Sequence, residues 1–407
     1  MNPPPADRPP PAAAPTPDAA PVTPSGGGRR GGDGGPAAVE GAGLRLRDLR
    51  PDDVADLVAA GDDPLARWFL PDLPAPDSEA HARWWIAEGL PGLRAAGGAA
   101  YAVADSGTDR LLGGVALGNP VPRRRQAEIG CWVRPGARRR GVATTATRLL
   151  AGHAFATGTV RLELLTAADD PASQRVALAA GFRPEGVRRD ATATPDGGRQ
   201  DLLAFVRLAG DPDGPVRRLL PDLPAGRLTD GVVTLRRLAP GDADEMYALH
   251  SRPEVVANQA PPVPPERDVI ALRCRLAESQ WLTGPAARLA ILDAATDRFA
   301  GSCGLVYAEP GTGQASIGYA LVPEFRGRGL ATRAVRLLAG WAFGPVGVAR
   351  LAAGTVPDNT ASHRVLQRVG FHREALLRGR LPGLAGARLD DLTFALLPTD
   401  LTDDPPG

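Results

Sequence analysis

The sequence contains no lysine, so all 47 of its basic residues are arginines. Set against 46 acidic residues, they leave a formal net charge of +1. That excludes a general nucleic-acid binder, because neutralising a phosphate backbone requires a basic excess. The arginine-only composition reads as codon bias, so no single arginine counts as functional on its residue type alone. Cysteine is scarce: Cys131, Cys274 and Cys303 are odd in number and form no C-x-x-C pair. Both points fit a reduced, cytoplasmic protein better than a disulfide scaffold or a zinc site. His81, His153, His250, His363 and His372 are scattered along the chain, so no metal is expected. No apolar run approaches the ~18 residues of a membrane-spanning helix, so no membrane partner is expected. The N-terminus lacks the basic start and apolar core of a secretory signal.

Proline and glycine are plentiful, and they punctuate the chain. Residues 1–43 are almost wholly Pro, Ala, Gly, Asp and Arg. Such a segment buries too little apolar surface to offset its ordering entropy, so it reads as a disordered tail. Residues 210–230 read as a linker and 399–407 as a flexible tail. Between these breaks the sequence repeats. LRLRDLRPDDVADL from Leu44 matches VTLRRLAPGDADEM from Val233. RRRGVATTATRLLAGHAF from Arg138 matches RGRGLATRAVRLLAGWAF from Arg326, and ASQRVALAAGF matches ASHRVLQRVGF. The blocks lie 188 or 189 residues apart, a domain-sized period too long for a solenoid. Two copies of one domain are expected, at 44–209 and 231–398.

Both copies have the same pattern. An opening strand (Leu44–Leu49; Val233–Leu238) leads through a proline turn into a helix, and a second helical region follows at 79–95 and 266–282. Three strands come next, at 99–105, 111–118 and 127–133, and at 287–293, 299–307 and 315–322. A glycine turn opens an amphipathic helix of about four turns (Val142–Thr157; Leu330–Phe343). A strand, a short helix from Ser173 or Ser362 and closing strands complete each copy. The class is α/β, with a mixed central sheet and helices on both faces.

The chemistry centres on the strand-to-helix junctions Arg138-Arg139-Arg140-Gly141-Val142-Ala143 and Arg326-Gly327-Arg328-Gly329-Leu330-Ala331. A helix N-terminus presents up to four unpaired N–H groups and about half a positive charge. Glycine lets a ligand approach the backbone closely. Together these make a cradle for a pyrophosphate.

This pattern resembles the Arg/Gln-x-x-Gly-x-Gly/Ala signature of the GNAT acetyltransferases. The preceding strands EIGCWVRP and SIGYALVP resemble that family's fourth strand. Asn359, Ser362, Gly370 and Phe371 resemble its downstream block; the first copy keeps Ser173, Gly181 and Phe182 but has Asp170 in place of the asparagine. The resemblance covers nearly all of 44–208 and 233–398, on the side of the RimJ/RimL-type enzymes. It implies two GNAT domains in tandem and direct transfer of acetyl from acetyl-coenzyme A to an amine, on a protein N-terminus or a small molecule. The pantetheine arm would lie where the fourth and fifth strands splay, beside Trp132–Val133 and Leu321–Val322. Ser173 and Ser362 are the candidates to serve the departing thiolate, although each can equally cap its helix; Asn359 is a further catalytic candidate. Glu128 is the candidate base; the second copy has Ser316 there. Cys131 reads as core, His363 as surface, and one of Trp84 and Trp85 as packed inward. The alternative function is an acetyl-coenzyme A-binding regulator with one or both copies silent. The acceptor and the oligomeric state stay open.

Overall fold

The structure is a computed structural model of the chain and describes residues 39–63, 65, 78–194 and 196–401. Most of the expected N-terminal tail, and residues 402–407, lie outside the described residues. The first copy runs β1 (Val39–Gly41), β2 (Leu44–Arg47), α1 (Val54–Gly61), α2 (Glu79–Trp84), a π-helical turn (Trp85–Gly89) and α3 (Leu90–Ala95). It continues β3 (Ala99–Asp105), β4 (Leu111–Val121), β5 (Gln126–Val133), α4 (Val142–Ala156), β6 (Arg161–Ala167), α5 (Pro171–Ala179), β7 (Arg183–Ala193) and β8 (Arg199–Leu208). The second copy runs β9 (Arg227–Thr229), β10 (Val233–Arg237), α6 (Ala243–His250), α7 (Pro253–Val256), α8 (Arg267–Arg275) and α9 (Ala277–Thr283). It ends β11 (Ala286–Asp293), β12 (Phe299–Glu309), β13 (Gln314–Leu321), α10 (Leu330–Trp341), β14 (Arg350–Thr355), α11 (Thr360–Val369), β15 (His372–Pro382) and β16 (Arg388–Leu396).

Each copy forms an eight-stranded sheet, in the orders β1-β2-β3-β4-β5-β6-β8-β7 and β15-β16-β14-β13-β12-β11-β10-β9. Strand alternation divides each sheet into two faces. In the second copy Leu289 and Ile291 pack with α10 and α11, whereas Ala290 and Leu292 pack under α6 and α8. The first copy repeats this, with Leu150 and Ala146 of α4 on one face and Val54, Leu57 and Ala82 on the other. Among the described residues only β5–β6 and β13–β14 pair parallel, because a helical crossover joins each of those pairs.

Two stretches differ from the sequence reading. Val39–Gly41, inside the expected tail, pairs with β2. Residues 210–230 are packed, with Leu220 and Leu223 buried in the second core and β9 paired to β10. Short apolar groups among prolines carry no periodicity, so composition hid both.

The two copies share a packed boundary. Leu282 of α9 is buried in the first copy's core, while Trp281 beside it is buried in the second and donates to the Pro221 carbonyl at 3.0 Å. Arg175 of α5 donates to Glu278 of α9 at 2.8 Å and to Asp222 at 3.3 Å. A bond from Arg218 is the main cause that holds the Asp222 carboxyl down, at about 2. A depressed carboxyl stabilises above its unfolded value, about 3.9, and that stability is lost as pH falls toward 2. Asp222→Asn should therefore lower the urea midpoint at pH 6, and the difference from wild type should shrink as pH falls through about 2. An equal difference at both pH values would show that the charge plays no part.

Candidate functional site

In both copies the middle of the sheet opens. β5 pairs with β6 only through Gln126, Ala127 and Glu128, yet it continues to Val133 along β4. β13 likewise pairs with β14 only through Gln314, Ala315 and Ser316 and continues to Leu321 along β12. Past those rungs, Ile129–Val133 and Ile317–Leu321 have, among the described residues, no strand on one edge. Unpaired backbone donors and acceptors on a strand edge favour an extended ligand that pairs with them. Val133 and Leu321 stand at the ends of these edges, and Val322 follows Leu321.

Beyond each opening strand the chain turns into α4 or α10. Gly141 and Gly329 are the N-caps, at φ +79° and +75°, and no side chain caps either helix. A Cβ added at either glycine would meet nothing within 4 Å, so open space lies over both helix starts. Val142 and Leu330 bury their side chains in the cores, leaving only their backbone toward that space, while Ala143 and Ala331 are half-buried. Residues in αL cost about 1–2 kcal/mol unless they are glycine. Gly327 meets that demand in the second copy at φ +75°, but Arg139 holds φ +59° in the first.

The arginines of these turns are mostly engaged elsewhere. Arg138 donates to the Val133 carbonyl at 3.0 Å and pairs with Asp63. Arg326 donates to the Leu321 carbonyl at 3.2 Å. Both therefore fasten the turn to the end of the open strand. Arg328 pairs with Asp293 at 2.6 Å and lies over the Phe325 ring. Arg139 and Arg140 are exposed. A pyrophosphate held at these turns would meet chiefly backbone, and the uncapped helix starts with open space above them fit such a group.

Opposite the second opening lies a polar chain. The Tyr319 hydroxyl is 2.7 Å from Ser362 Oγ and donates to the Ser362 carbonyl at 3.2 Å. Asn359 Oδ1 accepts the Ser362 N–H at 3.2 Å, capping α11 and fixing where Ser362 stands. Burial pushes the Tyr319 phenol up to about 12, against the pull of Ser362. The phenol therefore keeps its proton at neutral pH. Nothing in the sequence pattern links Tyr319 to Ser362; their pairing joins β13 to α11 across 43 positions.

The first copy builds this place differently. Cys131 holds the rung that Tyr319 holds, opposite Val115 as Tyr319 is opposite Cys303. It packs against the first core, and burial pushes its thiol up. Asp170 caps α5, accepting the Ser173 N–H at 3.1 Å. Burial raises the Asp170 carboxyl above its ordinary value despite those bonds. Glu128 stands on the last paired rung, half-buried, and accepts from Asn119 at 3.1 Å. The structure thus brings Tyr319, Ser362 and Asn359 together in one copy and leaves Glu128 in the other.

On the sheet face away from α10, the second copy has a cavity of about 250 Å³ reaching Gly318–Ala320 of the open strand. His250, Arg273 and Arg288 line it; nothing in the sequence pattern singled them out. The rung that pairs Ser302 with Ala320 is Gly114 and Trp132 in the first copy. There the indole covers the glycine: a Cβ on Gly114 would stand 2.3 Å from Trp132 Nε1. Trp84 is exposed and Trp85 lies over Gly89. His363 differs from its surface reading, since it is half-buried against the Phe394 ring at 5.5 Å.

Among known proteins, residues 43–183 and 233–372 each match one family model, described as an acetyltransferase (GNAT) domain. The chain is similar to the uncharacterized N-acetyltransferase p20 of Bacillus licheniformis, at 34% identity over 167 residues, 40% of this chain and 92% of that protein. It is also similar to the probable N-acetyltransferase YjcK of Bacillus subtilis (strain 168), at 37% over 111 residues, 27% of this chain and 61% of that protein. Mycobacterium smegmatis RimJ, solved in complex with CoA-disulfide, covers 44% of this chain and 88% of its own, at 24% identity and TM-score 0.39.

Proposed function

Starting from a chain that belongs to the GNAT acetyltransferase family, with its domain present twice, we propose that both copies bind acetyl-coenzyme A and that the second performs the transfer to an amine. The observation that carries this reading is the Tyr319–Ser362 pair beside an open strand edge and an uncapped helix start. The acyl donor would rest its pyrophosphate on the N–H groups following Gly141 or Gly329 and its pantetheine on the edges ending at Val133 or Leu321. When bound, acetyl-coenzyme A supplies an acetyl thioester, exchanged for an amide as the amine loses one proton and the sulfur gains one. Tyr319 holds a proton at its hydroxyl, Ser362 orients that hydroxyl, and Asn359 orients Ser362. In the second copy no carboxylate occupies the Glu128 position, so the acceptor's proton leaves through water or its own ionisation.

The first copy lacks the phenol, having Cys131, and its Glu128 lies on a rung before the opening. Those differences favour a first copy that holds the donor with little turnover. Calorimetry should give two coenzyme A molecules per chain. An unbiased panel of small amines and peptides, read by thiol release, should identify acceptors. A stoichiometry of one with normal turnover would show that one cradle is empty. Two bound molecules with no turnover on any acceptor would favour a purely regulatory protein.

A further inference from the structure

The cavity beside Gly318–Ala320 carries a charge pattern that its fold does not need. Arg288 projects from β11 on the α6–α8 face, as Ala290 and Leu292 do, and Arg273 comes from the last turn of α8. Both are half-buried. Arg288 donates to Gln280 Oε1 at 2.9 Å, and among the described residues neither guanidinium meets a carboxylate. No Asp or Glu lines the cavity. Asp242, whose charge acts on the neighbouring Cys274, is engaged by Arg236 at 2.6 Å. The third cationic candidate, His250, is pushed down to about 4 by burial and then by Arg273, so it stays neutral. Burial and the charge of Arg273 likewise hold Arg288 below its ordinary value. Two like charges placed together, half out of water and without a counter-ion, are unfavourable unless an anion joins them.

We propose that the second copy's acceptor is a small amine carrying an oxyanion, a carboxylate or a phosphate, held by Arg273 and Arg288. This rests on the reading of the second copy as the transferring one. The sheet register sets the scale. Arg288 is opposite Gly304, and Gly304 is opposite Gly318 on the open strand, so the rungs span about 10 Å. An arginine reaching back along them puts the anion a few bonds from the amine. The volume, about 250 Å³, admits a small molecule or the first residue of a chain and falls below the ~300–1,000 Å³ of larger ligand pockets. The equivalent rung in the first copy begins with Ala100, opposite Ala116, which is in turn opposite Gly130, so the two copies are not built for one acceptor.

The test compares matched acceptors on the full chain with acetyl-coenzyme A. Phosphoethanolamine is set against ethanolamine, and β-alanine against propylamine. The peptide Asp-Ala-Ala-amide is set against Asn-Ala-Ala-amide, so the arms separate a free metabolite from an acidic N-terminus. The anionic member of at least one pair should have a KM at least tenfold lower. Arg288→Gln and Arg273→Gln should each raise that KM roughly 10–100-fold, the range for a charged hydrogen bond, while leaving the neutral partner unchanged. Calorimetry with coenzyme A present reads the same preference without turnover. Arginine-dependent binding of an anionic amine with no transfer would keep the pocket and reject the catalytic reading. Transfer to neutral amines with no preference for the anion, or equal effects of the variants on both members, would overturn the proposal.

Discussion

Gly329→Glu should eliminate coenzyme A binding at the second cradle and reduce acetyl transfer to background. Gly329 caps α10 at φ +75° with open space above it. Glutamate there is strained, and its carboxylate would stand where a pyrophosphate must approach the helix start. Losing two charge-assisted hydrogen bonds, at about 1.5–3 kcal/mol each, weakens binding by roughly 10²–10⁴-fold. Turnover falls further, because alignment of donor and acceptor supplies on the order of 7–11 kcal/mol. The fold should survive, since Gly329 is half-exposed and a side chain there starts into open space. Gly141→Glu should remove the other binding event and leave most turnover intact. If Gly329→Glu keeps full turnover while Gly141→Glu or Glu128→Gln loses it, the first copy is the enzyme.

Tyr319→Phe should lower kcat by about 10²–10⁴-fold, the range of general acid–base help, with little change in the KM for acetyl-coenzyme A. The phenyl ring keeps the packing on the second core, so stability should fall only by the net worth of a hydrogen bond, about 0.5–1.5 kcal/mol. Ser362→Ala should lower kcat less, because the phenol loses its orienting partner but keeps its proton. Burial holds that phenol at about 12, so the kcat profile should show no loss of a tyrosine proton below about pH 10. Unchanged kcat in Tyr319→Phe would make the Tyr319–Ser362 bond a purely structural link between β13 and α11.

The duplication, the order of elements and both glycine turns were legible in the sequence. Each rests on local pattern: strand alternation, helical periodicity, and a glycine where the backbone must turn left-handed. The turn arginines were legible by position, but not in what their side chains meet. Arg138 and Arg326 use their guanidiniums on the carbonyls of Val133 and Leu321, and no spacing rule says where a long flexible side chain finds its partner. The strand at Val39–Gly41 and the packed segment around Leu220 and Leu223 were hidden because short apolar groups among prolines show no period.

By itself the sequence determined that there are two copies, that each opens a helix on a glycine turn after its fourth main strand, and which family they join. These features are set within a few turns of chain, where propensity and capping act. Only the tertiary structure decided what meets what. It joined Tyr319 to Ser362, set Trp132 over Gly114 in one copy, and left Arg273 and Arg288 facing a cavity in the other. Those meetings depend on strand register and on which side of the sheet a helix covers. Packing across the whole domain sets both, and a residue's neighbours in the sequence do not record it.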